Sequence, residues 1–198
     1  MLKVGITGGI GSGKSVVCRI LSILNVPVYD ADNRAKILMN SNQHLITQVK
    51  TEFGEEAYLS NGELNRTVLA GKVFDNPEKL EKLNSFVHPA VREDFHAWSK
   101  LQASKYVVKE AALLIETGSY KELDKLILVK APYSIKLERI LRRDDHRNED
   151  QVKSIMERQM KDEEKEKCAD FIINNDESHP ILSQVLQIHA ELEQKALH

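Results

Sequence analysis

The chain has 198 residues and a formal net charge of −2, with 28 Lys and Arg against 30 Asp and Glu. That length suits one domain with a full core, and that charge balance points to neither nucleic acid nor a membrane surface. The two cysteines, Cys18 and Cys168, are too few for a disulfide framework and lack metal-ligand spacing.

Leu2–Thr7 is a short β-rich run and predicts a first buried strand. It begins at the second residue, which leaves no room for a signal peptide. No apolar stretch approaches a membrane span. A reducing cytoplasm is the expected setting. Residues 8–15 then read Gly-Gly-Ile-Gly-Ser-Gly-Lys-Ser, which fits G-x-x-x-x-G-K-[ST] at Gly8, Gly13, Lys14 and Ser15. Val16–Leu24 follows with apolar residues at helical spacing, Cys18 on the inward face as a small core residue. Strand, glycine loop and helix together make a phosphate cradle. Backbone N–H groups point into such a loop, and the helix N-terminus adds partial positive charge. Gly9, Gly11 and Gly13 take away side chains that would block a polyphosphate. Lys14 can reach the β- and γ-phosphates, and the Ser15 hydroxyl can hold Mg²⁺. A plain glycine turn would not need Lys and Ser in this register.

Val26–Tyr29 predicts a second strand, followed by Asp30-Ala-Asp32. In open parallel sheets, ligands bind at the C-terminal ends of strands. Asp32 is therefore placed to take a proton from a substrate hydroxyl, and helix N-capping is the alternative for either carboxylate. Residues 31–104 hold no clear strand and are too long for a simple crossover. They read as an inserted helical lobe, with helices over 31–40 and 45–53 and a longer block over 66–104. Asn61-Gly62 marks a turn in it, and Pro77 and Pro89 can each open a helix.

Tyr106–Lys109 and Lys125–Lys130 predict the third and fourth strands, and Phe171–Asn174 a weaker fifth. Helical patterns cover 134–143, 149–167 and 181–197. This alternation implies an α/β fold, a parallel sheet with helices on both faces. Arg139, Arg142, Arg143 and Arg147 cluster ahead of a helix that Asn148 can cap. As a group they suit a flap over transferring phosphates, in a lid region over 139–167. Taken singly, each arginine serves solubility equally well. The mixed-sign run 162–167 reads as a solvated helix face.

Taken together, these residues resemble the dephospho-CoA kinase family nearly end to end. The resemblance runs from Gly5-Ile-Thr-Gly-Gly-Ile-Gly-Ser-Gly-Lys-Ser through Asp30-Ala-Asp32 and Leu64-Asn65-Arg66 to Val73-Phe74, Leu83-Asn84 and His88-Pro89. It continues through Leu113-Leu114-Ile115-Glu116, Arg139 and Arg143, Gln159-Met160, Lys165, Ala169-Asp170 and Asn175. The phosphate loop alone is shared by many kinases; the Asp-Ala-Asp and Leu-Asn-Arg segments at these distances are much more specific. Val16, Glu110, Ala112 and Ile155 depart from the usual pattern, which leaves the roles of Glu110 and Glu116 open.

The resemblance implies a P-loop kinase fold: one domain over 1–198, a five-stranded parallel sheet flanked by helices, an acceptor lobe over 31–104 and a helical lid. It implies phosphorylation of the ribose 3′-hydroxyl of 3′-dephospho-CoA by ATP with Mg²⁺. Asp32 would be the base. Gly8, Gly9, Ile10, Gly11, Ser12, Gly13, Lys14, Ser15 and Val16 would surround the nucleotide phosphates, with Ser15 on the metal. Arg143 would act in the lid with Arg139, and Asn175 would meet adenine. Arg66 and His88 would hold the acceptor, His88 having an equal claim to a structural role. The expected partner is the small-molecule acceptor, with no nucleic acid or membrane, and the chain a monomer or weak homo-oligomer. Another small-molecule P-loop kinase and a non-catalytic nucleotide binder are the alternatives. Against the second, the chain lacks the guanine-selecting Asn-Lys-x-Asp segment of a GTPase and retains the Lys14 and Asp32 that an inactive homologue would have lost.

Overall fold

The computed structural model describes residues 1–74, 76–144 and 148–196. The chain forms two compact units, Met1–Asp30 with Gln102–His198, and Ala31–Leu101.

The first unit carries a five-stranded, all-parallel sheet in the order β2-β3-β1-β4-β5. Its strands are β1 (Leu2–Thr7), β2 (Val28–Asp30), β3 (Tyr106–Glu110), β4 (Lys125–Lys130) and β5 (Phe171–Asn174). The central strands are continuous apolar runs because helices cover the faces of the sheet. Val4, Ile6, Val108, Ile127, Val129 and Ile173 pack with Val17, Cys18 and Leu21 of α1 (Lys14–Ile23) and with Val185, Ile188 and Leu192 of α9 (Ile181–Lys195). Each fully buried aliphatic side chain contributes on the order of 1.5–3 kcal/mol.

β2 starts two residues later than its apolar pattern predicts. The Val26 N–H donates to Leu21 O at 3.0 Å, so Val26 still belongs to the turn that ends α1. Asn25 makes that turn with φ of 62°.

The second unit holds α2 (Ala31–Ser41), α3 (Gln43–Phe53), α4 (Arg66–Val73) and α5 (Pro77–Lys100). Its β pairing among the described residues is the isolated bridge between Tyr58 and Leu64, closed by Gly62 at φ of 87°. The Asn61-Gly62 turn therefore lies where the sequence puts it. Asn76 caps α5 by accepting from the Lys79 N–H, with Pro77 in the first turn. Pro89 does not open a helix. It lies within the 24 residues of α5, with buried Val87 and Val91 on either side. A proline removes one helical hydrogen bond, and the packed apolar face carries the helix past it.

The arginine-bearing segment starts in α6 (Tyr133–Arg143). Asp145, His146 and Arg147 lie outside the described residues. Asn148 then caps α7 (Glu149–Glu157) in a reciprocal capping box with Gln151. The single helical pattern over 149–167 resolves into α7 and a short α8 (Asp162–Glu166). The break falls at Gln159 and Met160, whose side chain and backbone N–H respectively find partners elsewhere in the fold. Within α8, Lys165 is fully buried, contrary to a solvated face: its ammonium lies 2.8 Å from Glu116 Oε1. Among the described residues, no helix is long and apolar enough to cross a membrane.

Candidate active site

The glycine loop leaves β1, the middle strand of the sheet, and ends in α1. Gly13 caps α1 with φ of 97° and no side-chain bond, so the first amides of the helix face the loop. A side chain at 13 is excluded twice over: the backbone is left-handed, and a Cβ there would stand 2.1 Å from Asn175 Nδ2. Lys14 folds back over the loop, its Nζ donating to Gly8 O at 2.9 Å and Gly9 O at 3.3 Å. Ser15 and Val16 are exposed in the first turn of α1.

Two side chains from distant sequence hold this loop. Asn175, just past β5, donates from Nδ2 to Ser12 O at 2.8 Å. Gln159 accepts the Ile10 N–H on Oε1 at 2.9 Å. Arg139, on α6, donates to the carbonyl and to Oδ1 of Asn175, both at 3.3 Å, and lies 3.3 Å from Glu177 Oε1. Glu177 has φ of 68°, an uncommon conformation that this turn holds in place. Asp176 anchors the turn. Hydrogen bonds from His179, Ser178 and their backbone N–H groups hold its carboxyl well below the usual range.

Gly8 to Val16, Arg139 and Asn175 thus come together as one group. Arg143 is exposed in the last turn of α6, four residues past Arg139, where a cation also suits the helix dipole. A cavity of about 700 Å³ beside Gly9 and Ile10 is lined by Tyr133, Lys136, Gln159 and Asp162. It excludes Lys14, so it belongs to the flank of the loop rather than to its phosphate-facing side.

At the C-terminal edge of the sheet, Asp30 is in register with Glu110. The Cys18 thiol is pushed up by burial first, and then by the nearby Glu110 carboxylate. Among the described residues, no three His, Cys, Asp or Glu converge as a metal cluster. The Ser15 hydroxyl, at the start of α1, is a hard oxygen of the kind that suits a Mg²⁺ that keeps its waters and binds chiefly through substrate phosphates.

In the second unit, Asp32 is exposed in the first turn of α2, Arg66 opens α4 behind the Asn65 cap, and His88 is exposed midway along α5. These three candidates sit on three different helices. Arg34, two residues after Asp32, makes a two-pronged bond to Asp94 at 2.8 and 2.6 Å that joins α2 to α5. Sequence reading missed this pair and the bond from Gln159. Neither follows from local spacing, since each joins residues 60 or more apart.

A glycine loop on the central strand of a five-stranded parallel sheet, with arginines on the helix after β4, makes this a P-loop kinase. The family profile described as dephospho-CoA kinase matches residues 2–180. The dephospho-CoA kinase of Bacteroides fragilis is 39% identical over 195 residues, covering 98% of this chain and 94% of that one. A crystal structure from Thermus thermophilus superposes with a TM-score of 0.85 at 33% identity, covering 96% and 97% of the two chains. The dephospho-CoA kinase from Campylobacter jejuni gives 0.71 at 26% identity, with 98% of each chain covered. The chain belongs to the dephospho-CoA kinase family.

Proposed function

We propose that this chain transfers the γ-phosphoryl group of ATP to the ribose 3′-hydroxyl of 3′-dephospho-CoA, giving coenzyme A and ADP. The supporting observation is the family match over residues 2–180 in a chain that keeps both Lys14 and Asp32. Phosphoryl transfer asks mainly for positioning and charge stabilisation. The loop amides at the start of α1 and the Lys14 ammonium meet the β- and γ-phosphates. Ser15 would hold Mg²⁺, which would supply neutralising charge for those oxygens. Arg139 stays with the turn after β5, and Asn175 beside it marks the adenine end. Arg143 closes over the transferring group and excludes water. Asp32, two residues past the end of β2, takes the proton of the attacking hydroxyl. Arg66 and His88 serve the acceptor, Arg66 through its diphosphate.

The proposed setting is the cytoplasm, where the two cysteines stay reduced, with the chain acting as a monomer or weak homo-oligomer. The test is ADP release by purified protein with ATP, Mg²⁺ and 3′-dephospho-CoA, set against shikimate and nucleoside acceptors. Turnover confined to 3′-dephospho-CoA supports the reading; turnover confined to a rival acceptor refutes it.

A further inference from the structure

We propose that Gln159 is a positioning residue for nucleotide binding, acting through the Ile10 N–H to hold the phosphate loop in its binding shape. The proposal depends on the loop being the ATP site, as inferred above.

Gln159 lies in the break between α7 and α8. Its Oε1 accepts the Ile10 N–H at 2.9 Å. The loop makes room for it: a Cβ on Gly9 would stand 3.4 Å from that same oxygen and 3.3 Å from Lys136 Nζ. Lys136 is itself bound to Asp162, the first residue of α8.

The next residue fixes the direction of Gln159. The Met160 N–H donates to Glu116 Oε1 at 3.3 Å. Glu116 lies 2.8 Å from the ammonium of Lys165, which has no exposure at all. A buried ion pair of this kind cannot turn away without leaving a charge uncompensated. It therefore anchors Met160, and the adjoining Gln159 is aimed the other way, at the loop. The loop is thus held at two points, Ser12 by Asn175 and Ile10 by Gln159. Without the second, part of the loop must be ordered when nucleotide arrives, and that ordering weakens binding.

The test uses Gln159→Met, which keeps length and removes the acceptor, and Gln159→Asn, which withdraws it by one methylene. ATP affinity is measured by calorimetry without acceptor substrate, and amide hydrogen exchange is followed at Ile10. Both variants should bind ATP about tenfold more weakly, the size of one hydrogen bond. Exchange protection at Ile10 should fall while β1 stays protected, and the KM for 3′-dephospho-CoA should hold within about twofold. ATP affinity within twofold of wild type in both variants overturns the proposal. So does weaker binding with Ile10 protection unchanged. Because the binding arm needs no acceptor, a wild-type protein that binds ATP but fails to turn over 3′-dephospho-CoA counts against the proposed function alone.

Discussion

The side-chain amide of Asn175 donates to the carbonyl of Ser12 at 2.8 Å, across 163 residues of chain. The bond joins the phosphate loop to the segment leaving β5, and Asn175 in turn receives the Arg139 guanidinium. Asn175→Ala removes the bond to Ser12 and the Arg139 bond to Oδ1, and keeps the Arg139 bond to the backbone carbonyl. With a net hydrogen bond worth roughly 0.5–1.5 kcal/mol, ATP affinity should fall by about tenfold. Calorimetric titration checks this; unchanged affinity would mean that the loop keeps its shape without the tether.

The Lys14 ammonium donates to two loop carbonyls, Gly8 O at 2.9 Å and Gly9 O at 3.3 Å. If the ammonium serves phosphate rather than core, as proposed, Lys14→Ala should remove most activity and leave the melting temperature within a few degrees. Near-normal kcat in this variant would refute the phosphate role.

Asp32 and Asp30 separate two uses of a carboxylate. Asp32→Asn is nearly isosteric and should keep ATP binding; with Asp32 as the proposed proton acceptor, kcat should drop by about 10²- to 10⁴-fold. Asp30→Asn should be milder, about 1 kcal/mol if the carboxylate chiefly caps the helix that starts at Ala31. Measuring kcat, ATP affinity and melting temperature for both decides the assignment. Reversed outcomes would exchange the two roles.

The Arg143 guanidinium is exposed at the end of α6. Arg143→Ala should lower kcat more than it weakens ATP binding, because lid charge acts mainly in the transition state. A rise in the KM for ATP with kcat unchanged would make it a ground-state contact.

Burial holds the Cys18 thiol protonated above its ordinary range. The sign follows from linkage. Above about pH 8.5 the unfolded chain ionises this thiol while the folded chain does not. The contribution is therefore present below that pH and is lost as pH rises. Urea titration should show the stability difference between wild type and Cys18→Ala shrinking from pH 7 to pH 10. A thiol reagent at pH 8 should modify half-buried Cys168 and leave Cys18 untouched until urea is added.

Local signals carried most of the sheet. Leu2–Thr7, Lys125–Lys130 and Phe171–Asn174 read correctly as strands because buried parallel strands are continuous apolar runs. The glycine loop was legible for a similar reason, since its geometry is made by neighbours in sequence. What was hidden needed distant partners. Lys165 sits in a run of alternating charges and looks solvated, yet Glu116, 49 positions earlier, draws it inside. Gln159 looks like one more helical residue until Ile10 is seen against it. Pro89 looks like a helix start, and only the apolar stripe through Val87, Val91 and Phe95 shows the helix continuing.

The strand order also bears on how the protein emerges from the ribosome. β1 is the first strand made, but its two neighbours are β3 and β4, which begin at Tyr106 and Lys125. More than half the chain must be synthesised before the strand bearing the glycine loop has an edge to pair with. A nascent chain halted before residue 106 should therefore have a complete nucleotide motif in sequence and no ability to retain nucleotide. Pairing across such a separation is slow. Over that interval the apolar Leu2–Thr7 segment is the one in most need of a chaperone.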